Sequence, residues 1–392
     1  MTAVGDSRRI PVIMFHTIDK PDTGWLWHDL TCPVPLFDAK IASLSRRGYH
    51  ATTLDEVVAG QTRRAAPIDR RVVLTFDDGY LDNWVHAFPL LKRAGWRGIV
   101  YVNPEFVDPG TEPRPNLEDV WAGRVREQDL QSRGFLNWAE IEIMDRSGVL
   151  EVGNHSLSHT WYPTSGEIVD FHRPGLATPW LSWNERPDRK PFYLVEDQSS
   201  FVPWGTPIHR NGRSLGIRRY LPDPEIAPAC AAHVAASGGE AFFGREGWLD
   251  ELRQVAARAD RGRGRLESDS EMKARFSHEI GESARILAER VGHPVAHFCW
   301  PGGAYCDESW EAALDSGCAS LTVRKSDLAR WRTDDPRLIR RISEYRHFSF
   351  AGKAFHTTDP GLLPLACDVE LGRAGAVQLL RARKVLDALR RS

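Results

Sequence analysis

The stretch L-T-F-D-D-G-Y, residues 74–80, places two adjacent carboxylates on a glycine turn directly after a β-branched, apolar run. Adjacent residues at the end of a strand point in different directions, so Asp77 and Asp78 could serve one site in two roles. One carboxylate would bind a cation while the other accepts a proton. Asp-Asp-Gly is also ordinary turn chemistry, so the pair alone leaves a purely structural turn open.

A second motif, H-S-L-S-H at residues 155–159, follows the apolar stretch 148–152. Two histidines four residues apart share one face of a helical turn, where both imidazoles could reach one divalent ion. A carboxylate from a neighbouring strand end would complete a three-ligand set and leave coordination positions for water and substrate. The alternative, a pair of surface or strand-end histidines, is disfavoured by the T-F-D-D-G motif upstream.

Both motifs resemble those of the polysaccharide deacetylases of carbohydrate esterase family 4, which share the NodB-homology domain. In that family the first Asp of T-F-D-D-G is the general base and the second is a metal ligand. The resemblance therefore implies that Asp77 is the base and Asp78 a ligand. It also implies that His155 and His159 are the other protein ligands.

A third stretch, F-C-W-P-G-G at residues 298–303, is similar to an aromatic-Pro-Gly variant of a family motif that lines the substrate groove. The resemblance makes Trp300, Pro301 and Gly302 candidate substrate-binding residues. Tyr80 joins them, because a backbone N–H near it would stabilise the tetrahedral oxyanion. The likeness covers roughly residues 10–160 and 290–345.

The general acid departs from the usual family pattern. Most members carry a late strand ending in L-x-x-H, whose histidine protonates the leaving amine, and the C-terminal part of this sequence has no convincing counterpart. Instead the apolar run I-P-V-I-M-F-H-T, residues 10–17, ends in His16, which resembles a circularly permuted branch typified by biofilm-polysaccharide deacetylases. Permutation preserves a barrel because strand neighbours are set in space. His16 is the candidate acid; a turn-capping histidine is the alternative, and His347 and His356 are rival acids.

A second departure concerns the partner of the base. In relatives with an R-x-P motif, the arginine contacts the base Asp and helps to hold it ionised, but Cys299 stands in that stretch here. Arg341, in a predicted late strand, could orient the base instead. The alternative is a solvated arginine face, because the same run contains Arg337, Arg340 and Arg346.

Strand and helix patterns alternate along the chain. Predicted strands cover residues 11–15, 71–76, 98–102, 149–153, 295–300, 319–323 and 338–342. Predicted helices cover residues 37–47, 81–94, 138–147, 270–291 and 307–316. This βα repetition indicates the α/β class with a parallel sheet, and the strand count suits a distorted (β/α)7-8 barrel of the NodB-homology type. Chemistry in such barrels lies at the carboxyl ends of the strands.

The predicted domain organisation has three parts. Residues 1–159 and 270–350 would form the deacetylase-like barrel, and residues 351–392 a C-terminal extension with an amphipathic helix from residue 369. Residues 160–269 interrupt the βα rhythm as an insertion, with a packing helix at 241–258. Its aromatic residues would cap the metal and bind sugar rings, or simply pack an irregular segment. They are Trp161, Tyr162, Trp180, Trp183, Phe192, Tyr193, Phe201 and Trp204.

Composition limits the function classes. The 392 residues carry a formal net charge of −2, which disfavours a nucleic-acid partner. The six cysteines lack C-x-x-C spacing, so reduced thiols are expected. Residues 1–9 are polar and the next apolar run is too short for a signal core or a membrane span. We therefore expect a cytoplasmic protein without a transmembrane segment, and the sequence does not predict an oligomeric state.

The resemblance implies metal-dependent hydrolysis of an N-acetyl group on an amino-sugar substrate, releasing acetate and a free amine. One divalent ion is expected, with zinc first and cobalt, manganese or nickel as substitutes. Because a cytoplasmic enzyme does not meet extracellular polymers, the expected substrate is small or linked to a nucleotide, a lipid or an antibiotic precursor. The alternatives are hydrolysis of another C–N bond, in a cyclic imide, ureide or non-sugar amide, and a catalytically silent glycan-binding protein.

Overall fold

The structure is a computed structural model that describes residues 9–63, 70–324, 335–344, 347–350 and 353–390. The strands are β1 (Val12–Phe15), β2 (Thr17–Ile18), β3 (Thr31–Cys32), β4 (His50–Ala51), β5 (Arg71–Phe76), β6 (Gly98–Val102), β7 (Leu150–Asn154), β8 (Trp161–Phe171), β9 (Pro207–Arg213), β10 (Tyr220–Leu221), β11 (Arg265–Leu266), β12 (His297–Cys299), β13 (Ser320–Arg324), β14 (Leu338–Ser343), β15 (His347–Phe350) and β16 (Lys353–His356). The helices are α1 (Val34–Arg46), α2 (Leu54–Arg63), α3 (Phe88–Ala94), α4 (Leu117–Trp121), α5 (Trp138–Arg146), α6 (Pro179–Glu185), α7 (Ile226–Ala236), α8 (Trp248–Ala259), α9 (Asp269–Ser277), α10 (Ser283–Val291), α11 (Asp307–Asp315), α12 (Leu362–Glu370) and α13 (Ala376–Leu389).

Parallel strands close into a barrel in the order β1-β14-β13-β12-β7-β6-β5, and β5 returns to β1. The short strand β4 adds a parallel partner to β5. The predicted barrel is confirmed, with seven strands in the closed ring of the described chain. The N-terminal strand β1 lies between the strand that precedes the two aspartates and the late strand β14.

Most residues of the barrel strands are buried, because one face lies inside the barrel and the other beneath helices. In β5 every residue after Arg71 is buried. The largest core cluster joins residues of β1, β5, β6 and β7 to side chains of α1, α3, α5 and α12. This continuous core holds the carboxyl ends of the strands in fixed positions.

Two predicted helices contain a wider turn. The predicted helix 81–94 begins with a π-helical turn at Asn83–Ala87, continues as α3 and ends at Gly95, whose left-handed φ of 70° suits glycine. The predicted helix 270–291 is α9 and α10 with the π-helical turn His278–Glu282 between them. Such turns change the direction of the side chains on the helix and are frequent at functional sites.

The C-terminal segment differs from the single amphipathic helix expected from residue 369. It forms α12, which begins at Leu362, and α13, with Gly372 and Gly375 at left-handed φ between them. The apolar run L-L-P-L-A-C lets α12 bury almost all of its length against the barrel core. Among the described helices, none combines the length and the apolar character that crossing a bilayer requires.

In residues 160–269, β8 and β9 pair antiparallel, with α6 in the connection between them, and α7 and α8 follow β9. Their own apolar cluster contains Phe171, Cys230, Phe242 and Leu252. The predicted helix 241–258 is shorter than expected, because α8 begins at Trp248 after a single turn of 3-10 helix. All six cysteines of the chain are free thiols, as expected.

Candidate functional site

The carboxyl ends of β1, β5, β7, β12 and β14 surround a cavity of about 330 Å³. The predicted residues that line it are His16, Asp77, Asp78, Tyr80, His155, His159, Trp300, Gly302 and Arg341. The barrel therefore gathers nearly all the predicted site residues at one place, although they come from distant parts of the chain.

Asp77 is held by a buried, two-armed ion pair. Arg341 donates from Nη1 to Asp77 Oδ1 at 2.5 Å and from Nη2 to Oδ2 at 2.7 Å, and both side chains are under 5% exposed. The same guanidinium donates to Thr75 Oγ1 at 3.0 Å and to Cys299 Sγ at 3.1 Å. Arg341 points into the barrel from β14, so it is not part of a solvated arginine face.

The ion pair with Arg341 determines the protonation state of Asp77. Burial opposes ionisation of the carboxyl group, but the charge of Arg341 and its two hydrogen bonds more than offset that effect, so the pKa of Asp77 lies below its ordinary value. Asp77 is therefore a carboxylate at neutral pH. A carboxylate whose oxygens are fixed at the cavity can accept a proton from a bound water.

His16 follows β1 and lies beside Asp77. Its Nε2 is 3.6 Å from Asp77 Oδ2, because β1 and β5 are paired in register up to Phe15 and Phe76. Burial lowers the pKa of His16 against the raising effect of Asp77 and Asp78. The imidazole is thus neutral in the resting protein and can take up a proton.

The rival acids lie elsewhere. His347 and His356 are paired with each other across the β15–β16 hairpin, which is separate from the barrel sheet. The side chain of His347 falls outside the described residues. His356 does not line the cavity in the part of the chain that the structure describes.

The carboxylate of Asp78 lies close to both histidines of the second motif. Its Oδ1 is 3.1 Å from His155 Nε2 and 3.4 Å from His159 Nε2. His155 Nδ1 lies 2.8 Å from the carbonyl oxygen of Cys299. A carbonyl only accepts, so Nδ1 carries a proton, and Nε2 is the ring nitrogen that faces Asp78.

This donor set fits a metal ion. Asp78 Oδ1 is buried without a hydrogen-bond partner, and the three candidate ligand atoms lie within 4.8 Å of one another. Lone pairs of a carboxylate and two imidazoles that converge in this way repel each other unless a cation lies between them. A second group, Asp77 with His155 and Cys299, is less suited, because Arg341 already occupies both oxygens of Asp77.

The backbone around the ligands is strained. Asp78, Ser156 and His159 have positive φ values of 74°, 68° and 42°, which cost non-glycine residues about 1–3 kcal/mol each. Side chains at neighbouring strand ends compensate: Asn154 Oδ1 accepts from Ser156 N at 2.9 Å, and Asn103 Nδ2 donates to Ser156 O at 3.1 Å. The loop is thereby held in a conformation that aims both imidazoles inward.

Two buried ionisable residues also hold this loop. Glu279, in the π-helical turn, accepts from Ser158 N at 3.0 Å and from Ser158 Oγ at 2.5 Å. Lys190 of the insertion is 1% exposed, donates to Ser158 O at 2.9 Å and pairs with Glu105. Burial raises the pKa of Glu279, and the bonds from Ser158 oppose that effect.

Aromatic side chains form most of the remaining cavity wall. Tyr80 stacks on Phe135 with ring centroids 5.3 Å apart, and Phe106 meets Trp183 edge-on at 5.2 Å. Flat apolar faces of this kind suit the C–H faces of sugar rings. The aromatic wall consists of Trp27, Tyr80, Phe106, Phe135, Trp161, Trp183, Tyr193 and Trp300.

Comparisons with known proteins relate part of the chain to one family. Residues 64–170 match the family model described as polysaccharide deacetylase. The chain is 31% identical over 94 residues to the Bacillus subtilis (strain 168) protein YxkH, whose name carries the same family description. The alignment covers 24% of this chain and 32% of that protein.

The chain is thus similar to the polysaccharide deacetylases over residues 64–170. It is also 26% identical over 123 residues to the poly-beta-1,6-N-acetyl-D-glucosamine N-deacetylase of Escherichia coli (strain K12), which covers 31% of this chain and 16% of that one. The chain therefore spans less than a third of the length of both curated relatives.

A solved de-N-acetylase structure from Aggregatibacter actinomycetemcomitans shares the fold. It superposes with a TM-score of 0.50 at 14% sequence identity and covers 85% of this chain and 94% of that one. The agreement extends well beyond the segment that the family model matches.

Only part of the third motif, residues 298–303, lines the cavity. Trp300 is 1% exposed and packs against Phe298 and Trp310, with ring centroids 4.9 and 6.2 Å away. It lines the cavity together with Gly302. Pro301 is buried and, among the described lining residues, does not reach the cavity.

The aromatic residues of the insertion divide into two sets. Trp161, Trp183 and Tyr193 face the cavity. The others pack within the insertion, for example Trp180 edge-on against Trp161 at 4.7 Å. This packing set also includes Tyr162 beneath Arg219, Phe192 with Arg189, Phe201 with Arg186 and Trp204 on His172.

Sequence reasoning did not identify Trp27, Phe106, Phe135 and Arg213, all of which line the cavity. The W-L-W stretch at 25–27, close behind the strand that ends before His16, is a signal that could have indicated Trp27. Arg213 has no local signal, because it reaches the cavity only through the pairing of β9 with β8.

Proposed function

We propose that this chain is a metal-dependent hydrolase that removes the N-acetyl group from an amino-sugar-containing substrate, releasing acetate and a free amine. One observation carries the proposal. A carboxylate kept ionised by Arg341, namely Asp77, lies next to the convergent Asp78, His155 and His159 in a single aromatic-lined cavity. A base beside a three-ligand set is what amide hydrolysis requires.

The residues divide the chemistry as follows. A divalent ion held by Asp78, His155 and His159 would lower the pKa of a bound water and polarise the acyl carbonyl. Asp77 accepts the proton of the attacking water at a carboxylate oxygen. His16, 3.6 Å from Asp77 Oδ2, takes up that proton and delivers it to the nitrogen as the C–N bond breaks. The backbone N–H of Tyr80 is the candidate donor to the oxyanion.

We further propose that the chain belongs to the circularly permuted branch of the family. The support is the position of β1, which pairs with β5 on one side and with β14 on the other and brings His16 to the base. In this arrangement the N-terminal strand takes the place that the late histidine strand holds in the usual chain order.

Cavity size and wall chemistry favour a small N-acetylated glycan. The cavity of about 330 Å³ lies at the lower end of the range for small-molecule sites, which is about 300–1,000 Å³. Trp161, Trp183 and Tyr193 support a role for the insertion as a substrate-binding cap. Zinc is the first candidate ion, because two imidazoles and one carboxylate form a common catalytic zinc set, and cobalt, manganese or nickel could substitute.

A matched pair of adjacent, isosteric substitutions tests the assignment of roles. Asp78→Asn should lose most of the bound metal, because a ligand charge is removed. Asp77→Asn should keep about one equivalent of metal and lose acetate release by about 10²-fold or more. Metal content is measured by elemental analysis after reloading, and acetate by a coupled assay. Wild-type turnover in Asp77→Asn would remove Asp77 as the base.

The reaction class needs a substrate panel. Acetate release from free, nucleotide-linked and lipid-linked N-acetylamino sugars supports the deacetylase function. Turnover of a cyclic imide or ureide without acetate release would instead support cleavage of another C–N bond. A metal-loaded protein that binds the sugars and turns over nothing would be a glycan-binding protein.

A further inference from the structure

Arg213 places a guanidinium at the rim of the cavity. Arg213 is the last residue of β9 and is paired with Trp161, the first residue of β8. It therefore lies close to His159, which shortly precedes Trp161 in the sequence. A side chain on Gly302, whose φ is 54°, would collide with Cδ and Cζ of Arg213. The insertion and the third motif together leave room for this arginine beside the metal histidines.

The charge of Arg213 is not balanced within the described residues, where its side chain has neither a carboxylate partner nor a hydrogen-bond acceptor. Nearby arginines of the insertion differ. Arg210, on the same strand, donates to both oxygens of Glu167 at 2.6 and 2.7 Å. Arg218 pairs with Asp269. Arg213 is therefore distinguished from its neighbours both by its position at the cavity and by its unpaired charge.

The other fixed charges of the cavity do not offset the positive charge of Arg213. Asp77 is neutralised by Arg341 through two hydrogen bonds. Asp78 alone balances only part of the charge of a divalent ion. With the ion bound, the cavity carries an excess of positive charge, which favours an anionic occupant.

We propose that Arg213 binds an oxyanion carried by the N-acetylated sugar, either a carboxylate or a phosphate. The inference rests on the proposed function and narrows its substrate class. A guanidinium binds both groups through two parallel hydrogen bonds, so the two share one recognition chemistry. A neutral sugar would leave the guanidinium facing the cavity without a partner.

The experiment compares three substrates with the metal-loaded full chain. N-acetylglucosamine is neutral, N-acetylmuramic acid carries a carboxylate, and UDP-N-acetylglucosamine carries a diphosphate. The readout is the ratio of kcat/KM for each charged compound over the neutral one. Arg213→Ala should lower this ratio about tenfold or more, since the charged contact to the anion is lost, and Arg213→Lys should lower it less. The charged compound whose ratio falls identifies the anion.

Arg210→Ala is the matched control, because it removes the same charge from the same strand but from a residue paired with Glu167. Its ratio should equal that of the wild type. An unchanged ratio in Arg213→Ala, or a wild-type preference for the neutral sugar, overturns the inference.

The failure of the proposed function is a separate outcome. If no compound releases acetate, calorimetric binding of the two charged compounds decides the inference. Binding that Arg213→Ala weakens about tenfold supports it. Equal binding by both proteins, or no binding by the wild type, overturns it.

Discussion

At the scale of single residues, the ion pair between Asp77 and Arg341 answers how the base is kept ionised. The Arg341 side chain comes from a strand more than two hundred residues away and supplies both hydrogen bonds to the carboxylate. Cys299 also accepts from Arg341, at 3.1 Å. The arginine that holds Asp77 thus comes from β14 and not from the stretch around Cys299.

Arg341→Lys should shift the pH dependence of activity. Lysine keeps a positive charge but loses the two-armed contact, so burial is less well opposed and the pKa of Asp77 rises. The acid limb of the kcat/KM profile reports the base in the free enzyme and should therefore move to higher pH. At neutral pH the rate should fall by up to about 10²-fold, because the base is also less well positioned. The profile is measured with metal-loaded protein.

Metal content is the control for Arg341→Lys and should match the wild type, since Arg341 contacts no candidate ligand side chain of Asp78, His155 or His159 in the described structure. An unmoved acid limb together with a normal metal content would contradict the assignment of that limb to Asp77.

His16→Gln should affect amides more than esters. An amine is a poor leaving group and needs a proton as the C–N bond breaks, whereas an activated phenolate does not. We expect acetamide cleavage to fall by about 10²-fold or more, and cleavage of 4-nitrophenyl acetate to fall much less. Equal losses on both substrates, at unchanged metal content, would mean that His16 positions the base and does not protonate the leaving group.

At the scale of elements, the loop at residues 155–159 depends on two other segments for its shape. The π-helical turn supplies Glu279 and the insertion supplies Lys190, and both bind Ser158. The insertion is therefore connected to the metal ligands through a buried lysine as well as through the cavity wall.

Lys190→Met should weaken metal binding. The substitution keeps the length of the side chain but removes the bond to Ser158 O and the partner of Glu105. Residues that orient metal ligands typically change metal affinity by about 10- to 100-fold when mutated. We expect a loss of that size in a competition titration with a zinc chelator.

Lys40→Met is the matched control. Lys40 is equally buried and is paired with a carboxylate, that of Glu344. This pair joins α1 to the residue that follows β14. Breaking either buried pair should cost about 3–5 kcal/mol of the free energy of unfolding. Only Lys190→Met should also change metal affinity, and equal metal affinities for the two variants would contradict the role given to Lys190.

At the scale of the whole molecule, the C-terminal helix α12 is part of the barrel core. Leu363 is fully buried in the same cluster as residues of β1 and β5. Leu386 lies on α13 and is 56% exposed. The two leucines thus offer a direct test of which part of the C-terminal segment stabilises the barrel.

Leu363→Ala should destabilise the protein by about 2–5 kcal/mol, because it leaves a cavity in a closely packed core. Leu386→Ala should change the free energy of unfolding by no more than about 0.5 kcal/mol. Both are measured by urea unfolding, and similar values for the two variants would show that α12 is not packed as described.

Much of the site could be predicted because its residues lie in short local motifs. The aspartates and both histidines are marked by their spacing and by the strand ends that precede them. His16 required one further step, from an apolar run to a strand end. Arg213 and Phe106 could not be predicted in this way, since their places in the cavity depend on strand pairing and on the path of loops.

Local patterns of apolar and polar residues were enough to predict the alternation of strands and helices, the barrel class and the acid and histidine motifs. Those patterns do not indicate which arginine holds Asp77, which aromatic residues of the insertion face the cavity or how α12 packs. Those outcomes depend on the closure of the barrel between β1, β5 and β14, which brings together residues that no local pattern connects.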